Sequence, residues 1–225
     1  RGLGDVYKRQ GLLGLSFILQ ILTFCFYNMI GISDANSAFR AYFGGRDLST
    51  LSLQGPFFVC IVLIQAVNSE SIRFFFDGSS YILIRFKEKR CILLNVKIIT
   101  FINVSAFCLL AFLANCFVFF IAGRNYTTNG ITLELFVHVL IESLLFSYIQ
   151  ILIRTLLASK AYEYALLGTP VFYIVINRVV PHQFSIMPFN FSLGNRLTSI
   201  VTVLCSIIIV NCLISKIFMH KEMIV

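Results

Sequence analysis

Glu134, His138 and Glu142 are the residues of this chain whose types and spacing come nearest to chemistry. They stand at i, i+4 and i+8, so a helix would carry them within about 80° of one face. Two carboxylates and an imidazole in that arrangement can bind a metal or relay protons. The surrounding stretch is apolar and Glu142 falls near its middle, where a carboxylate is costly unless protonated, paired or facing water. The simpler reading is preferred: Glu134 and His138 sit near the outer membrane interface, and Glu142 packs in neutral form against a polar neighbour or a second subunit. No metal is assigned to them.

Other catalytic patterns are missing. There is no HExxH pair, no GxSxG elbow and no second acid–histidine helix of the kind an intramembrane protease needs. His182 and His220 have no partners at ligand spacing. Without GxxxxGK[ST], the chain has no loop to cradle a nucleotide's phosphates. An enzyme is not expected, nor a cofactor within the chain.

A second set of candidates lies in one short connection, residues 69–96. It opens with Ser69-Glu70-Ser71-Ile72-Arg73-Phe74-Phe75-Phe76, turns at Asp77-Gly78-Ser79-Ser80, continues through apolar Tyr81 to Ile84, and ends in a basic cluster from Arg85 to Arg90. Apolar and charged residues alternating over so short a stretch suit a helix lying on a membrane surface or docking into a partner protein. The basic residues could equally serve topology alone. Topology does not call for Phe74 to Phe76 or for Tyr81 to Ile84.

The elements that must position these residues are membrane spans. Of 225 residues, 58% are hydrophobic and 12% charged, and mean hydropathy is +0.88, so no water-soluble surface can be made. A hydrocarbon core about 30 Å thick needs roughly 20 apolar residues per helix. Six runs qualify, at about 11–30, 53–67, 98–122, 131–153, 164–176 and 197–218. This predicts an all-α, polytopic transmembrane bundle of six spans forming one domain over 11–225. The fifth run is short and carries Gly168-Thr169-Pro170, which would bend it.

Net charge is +8, but the basic residues lie mostly between apolar runs, which suits topology rather than nucleic acid. Ten lie in the connection 69–96 with Lys97 at its membrane edge, the connection 154–163 and the C-terminal tail, five in the connections on the opposite side. Positively charged loops stay inside, so both termini are expected in the cytoplasm and the protein in the cell (plasma) membrane. The outer segment 31–52, with Asp34-Ala35-Asn36-Ser37 and Gly44-Gly45-Arg46-Asp47, is expected as an exposed loop with one short helix. Segment 177–195, rich in aromatics and proline, is expected in the outer interface. Six of the seven cysteines fall in apolar runs and read as small hydrophobes. Residues 1–10 stand apart: Asp5-Val6-Tyr7-Lys8-Arg9-Gln10 reads as the translation of a sequencing-library transposon end, so the native start is expected to be missing.

Six spans, both ends inside, an acid–Gly turn, an apolar stretch and a basic cluster before span three, and an outer aromatic–proline segment before the last span together resemble the permease subunit of an ABC transporter. The nearest class is the type-2 exporters, in their small bacterial form. Gly78, Arg85, Lys89 and Arg90 sit where that family has a recurring pattern. The resemblance implies that residues 69–96 form a coupling helix fitting a cleft on a separate cytoplasmic ABC ATPase, with Phe75, Asp77 and Tyr81 beside those four. It implies ATP on that partner, a second permease chain alongside, and a peptide, drug-like or lipid-like substrate moved outward. The chain departs from the family in having no long amphipathic N-terminal helix. Two readings stand beside it: an intramembrane enzyme or ion-coupled transporter centred on Glu134, His138 and Glu142, and an accessory immunity protein.

Overall fold

The computed structural model describes residues 2–32, 34–43, 51–77, 89–123, 133–157, 160–166, 168–169 and 196–220. The helices are α1 Gly2–Met29, α2 Ala35–Tyr42, α3 Leu51–Asp77, α4 Lys89–Ile121, α5 Leu133–Leu156, a short α6 over 160–166, and α7 Arg196–His220. No strand occurs among the described residues. Five of these helices are long and apolar enough to cross a membrane, over Gly11–Met29, Gly55–Phe76, Arg90–Ile121, Leu135–Leu156 and Val203–His220. The chain is thus an all-helical bundle of membrane-protein type. The expected span 164–176 falls mostly outside the described residues, of which 164–166 and 168–169 are helical.

Side-chain contacts fix the helix directions. Gln20 of α1 reaches the Phe107 carbonyl of α4, and Asn103 of α4 reaches Ser71 of α3 at 3.1 Å. Phe112 of α4 meets Phe136 of α5 edge-on, with ring centroids 5.7 Å apart. Spans α3/α4 and α4/α5 therefore run antiparallel, whereas α1 and α4 run parallel, since Gln20 lies at Phe107 and Ala35, just beyond α1, at Asn115. One end of the bundle gathers Arg73, Arg90, Arg154, Lys160 and Lys216, and is called the basic end below. At the far end α1 stops in a turn where Gly31 adopts φ 92°. There Ile32 N–H donates to the Tyr27 carbonyl and Gly31 N–H to that of Asn28, the reversed pairing that satisfies a helix's last carbonyls when a glycine takes the left-handed conformation.

The core has two parts. Towards the far end Phe24, Tyr27, Phe39, Tyr42, Phe57, Cys60, Phe107 and Ala111 pack together, and towards the basic end Ile72, Phe75, Ile92, Leu93, Val96, Ile151, Tyr162, Ile214 and Phe218 do. Outward-facing positions are equally apolar: Leu94, Ile98, Phe101, Ile102, Leu109, Leu113 and Phe117 of α4 are all exposed. An apolar outside of this extent suits hydrocarbon, since helices satisfy their backbone groups internally and present only side chains to lipid.

One expectation is corrected here. Segment 31–52 is not simply an exposed loop, because α2 is buried: Ala38, Phe39 and Tyr42 are fully enclosed. Asp34 caps the helix by accepting from Ser37 N–H at 3.0 Å. Small residues at 35, 38 and 41 then let the helix approach α4 closely enough for Asn115 to donate to the Ala35 carbonyl at 3.0 Å. Tyr42 packs on Phe24 with centroids 5.2 Å apart, and burial pushes its phenol well above the usual range, so it stays neutral.

Candidate functional site

Helix α5 holds the polar interior because its polar side chains recur on two faces of an otherwise apolar helix. On one face His138 and Glu142 lie a turn apart, with Nε2 and Oε1 separated by 2.7 Å and side chains 2% and 3% exposed. Glu134 sits a turn earlier on α5, and its side chain is outside the described residues. Among the described residues no group of three or more His, Cys, Asp and Glu converges as a metal site would. The His138 ring is buried inside the bundle, with Glu142 as its neighbour.

The second face lies roughly a third of a turn around α5 and meets α3. Asn68 Nδ2 donates to Ser147 Oγ at 2.9 Å, and Ser147 Oγ donates to the Ser143 carbonyl at 2.8 Å. Gln150 Nε2 donates to the Gln65 carbonyl at 3.2 Å and to the Tyr162 hydroxyl at 3.0 Å. Gln65 in turn donates to Thr169 Oγ1. Three residues forward on α3 match three backward on α5, which is antiparallel packing joined by amides. Interhelical hydrogen bonds of this kind replace the hydrophobic drive that lipid cannot provide.

At the basic end the polar line closes under α6. Tyr162 is fully buried, and the Arg154 guanidinium lies 5.7 Å from its ring centroid and 5.3 Å from that of Phe76. Arg154 also donates to the Leu157 carbonyl at 2.9 Å. Arg73 on α3 pairs with Glu163 on α6. Lys97 of α4 donates to Ser215 of α7 at 3.1 Å.

The residues expected to couple to a partner divide in three. Phe75 is 6% exposed in the protein's own core, whereas Phe74 beside it is 51% exposed; Phe75 is therefore corrected to a core residue, and Phe74 is the aromatic that surfaces here. Asp77 ends α3 and Lys89 opens α4, while Arg90 is exposed. Gly78, Tyr81 and Arg85 lie outside the described residues. Residues 69–77 and 89–96 are turns of α3 and α4, so the connection between the two helices is 78–88.

Gln65, Asn68, Asn103, Ser147, Gln150 and Tyr162 were not singled out from the sequence, although a signal exists. Positions 65 and 68, and 147, 150 and 154, repeat at helical spacing inside apolar runs. Arg154 was read only as a topological charge. Compared with family models, with curated proteins and with solved structures, the chain matches none.

Proposed function

We propose that the chain is the permease subunit of an ATP-driven exporter of the type-2 ABC class, working in the plasma membrane with a second permease chain and a cytoplasmic ATPase. The observation that carries this reading is how the 78–88 connection is anchored. The last turns of α3, through Ile72 and Phe75, share one core with Ile92, Leu93 and Val96 of α4, Ile151 of α5, Tyr162 of α6, and Ile214 and Phe218 of α7. A push on 78–88 is thereby delivered to five helices together, the mechanical requirement for turning ATPase closure into rigid-body motion of a membrane domain. Exposed Phe74 and Arg90 flank that connection, and Tyr81 and Arg85 lie within it. The basic end faces the cytoplasm in this reading, with Gly78, Lys89 and Arg90 at the ATPase contact. ATP is hydrolysed by the partner and not by this chain.

The test is co-expression with the ABC ATPase encoded beside this chain's gene. A detergent-stable complex is expected, with ATPase activity that depends on this chain and falls when Arg85→Glu and Arg90→Glu are combined. A genome neighbourhood without such an ATPase, or an ATPase indifferent to both the chain and the charge reversal, would sink the proposal.

A further inference from the structure

We infer that the seam between α4 and α7 at the basic end binds the phosphodiester of an anionic glycerophospholipid, with Lys97 as its principal ligand, Ser215 positioning that lysine, and Lys216 adding a second charge. The Lys97 ammonium donates to Ser215 Oγ at 3.1 Å, and Ser215 Oγ donates its own hydrogen to the Asn211 carbonyl at 2.9 Å. The hydroxyl is thereby oriented to accept from the lysine, which fixes Nζ in the seam. An ammonium carries more N–H donors than the one this bond uses, and the unesterified oxygens of a phosphodiester are acceptors of the matching kind. Cys212 of α7 also lies beside Lys97. Exposed Lys216 stands one turn beyond Cys212 on the same stripe of α7.

Depth selects a lipid as the source of the phosphate. At about 1.5 Å per residue, Lys97 stands about 36 Å along α4 from Ile121, and Ser215 about 29 Å along α7 from Arg196. Two helices running in opposite directions thus both reach this pair after roughly the 30 Å of a hydrocarbon core, which puts it in the layer where headgroup phosphates lie. Towards the membrane centre the outward side chains are apolar, with Phe101 and Ile102 on α4 and Ile208 and Ile209 on α7 all exposed. A soluble anion would meet the ammonium and leave that surface bare. A lipid lays its acyl chains on it while its phosphate meets the lysines. Two lysines favour a headgroup with no cation of its own, as in phosphatidylglycerol, over phosphatidylcholine, whose choline they repel. The site requires only that the basic end lie at a membrane surface, so it is independent of the ATPase partner.

The chain has no tryptophan, so a single indole introduced on the lipid face reports which lipid lies beside it. Phe101→Trp puts one a turn from Lys97, and Phe117→Trp puts a reference indole towards the far end; both phenylalanines are about half exposed. Full-length protein is reconstituted in phosphatidylcholine bilayers, with phosphatidylglycerol or phosphatidylcholine carrying brominated acyl chains as the quencher. At position 101 the brominated phosphatidylglycerol is expected to bind about fivefold more tightly than its phosphatidylcholine counterpart, the ratio that one lysine's attraction for an anionic headgroup produces. At position 117 the two should quench alike. Lys97→Gln should abolish the preference, Ser215→Ala should weaken it, and Lys97→Arg, which keeps charge and donors, should retain it. Excess inorganic phosphate at constant ionic strength should leave it unchanged. Equal quenching at position 101, a preference that survives Lys97→Gln, or one that inorganic phosphate removes would overturn the site. Should Lys97→Gln fail to fold, Ser215→Ala combined with Lys216→Gln takes its place, with loss of the preference again expected and its survival again fatal.

Discussion

Gln150 serves acceptors on two different elements, the Gln65 carbonyl of α3 and the Tyr162 hydroxyl of α6. Single interhelical hydrogen bonds in membranes average about 0.6 kcal/mol. Gln150→Leu removes two and keeps the apolar volume, so a loss of about 1 kcal/mol is expected in reversible unfolding in mixed micelles. Gly31 is a different case, because its φ of 92° lies where a side chain's Cβ is strained whatever space surrounds it. Gly31→Val should cost about 1–2 kcal/mol, and Gly31→Asn distinctly less, since asparagine tolerates the left-handed region. Equal costs for the two variants would show that the turn is not held in that conformation. In the sequence Gly31 figured only as the first residue of the expected outer segment 31–52. The partners of Gln150 were not legible there, because spacing along one helix does not say which neighbour will face it.

At the scale of elements, α6 offers a choice between two kinds of attachment. Its ion pair, Arg73–Glu163, is 40% and 51% exposed, and exposed pairs contribute less than about 1 kcal/mol. Its tyrosine is fully buried in the basic-end core. Tyr162→Ala should therefore destabilise by about 3 kcal/mol and expose the 158–170 region to limited proteolysis, whereas Glu163→Gln should leave both stability and cleavage nearly unchanged. The reverse order would make the ion pair the fastening. Helices α3 and α4 illustrate where sequence reasoning stopped short. Hydropathy falls away after Val67 because Asn68, Ser69, Glu70, Ser71 and Arg73 are polar, yet α3 continues to Asp77. Ile72 and Phe75 keep an apolar face on it, turned to α4 and α7. Likewise α4 starts at Lys89, nine residues before the apolar run expected from Ile98. Hydropathy reports where a helix can meet lipid; helix ends are set by packing. The burial of α2 escaped notice for a related reason, since Asp34 and Asn36 mark a turn while the apolar face of Ala38, Phe39 and Tyr42 spans only two turns.

For the whole molecule, helix directions and charge speak to topology together. α1 and α4 end at the far end of the bundle, and α3, α5 and α7 end at the basic end. Helices α5 and α7 run the same way, and the expected span 164–176 lies mostly outside the described residues. The described N-terminal and C-terminal helices then both present their outer ends at the basic end. By the positive-inside rule such an end is expected in the cytoplasm, and a residue already present can test that expectation. Cys91 stands in the first turn of α4, at the basic-end edge of the Arg90–Ile121 span, and is partly exposed, whereas the exposed Cys25, Cys205 and Cys212 lie further inside their apolar spans. A charged, membrane-impermeant thiol reagent should not enter hydrocarbon to reach those three, so Cys91 is the expected site of reaction, and only after the membrane is opened. Cys91→Ser should abolish that labelling. Reaction at Cys91 in intact cells would place the basic end outside, and with it the 78–88 connection beyond the reach of any cytoplasmic ATPase.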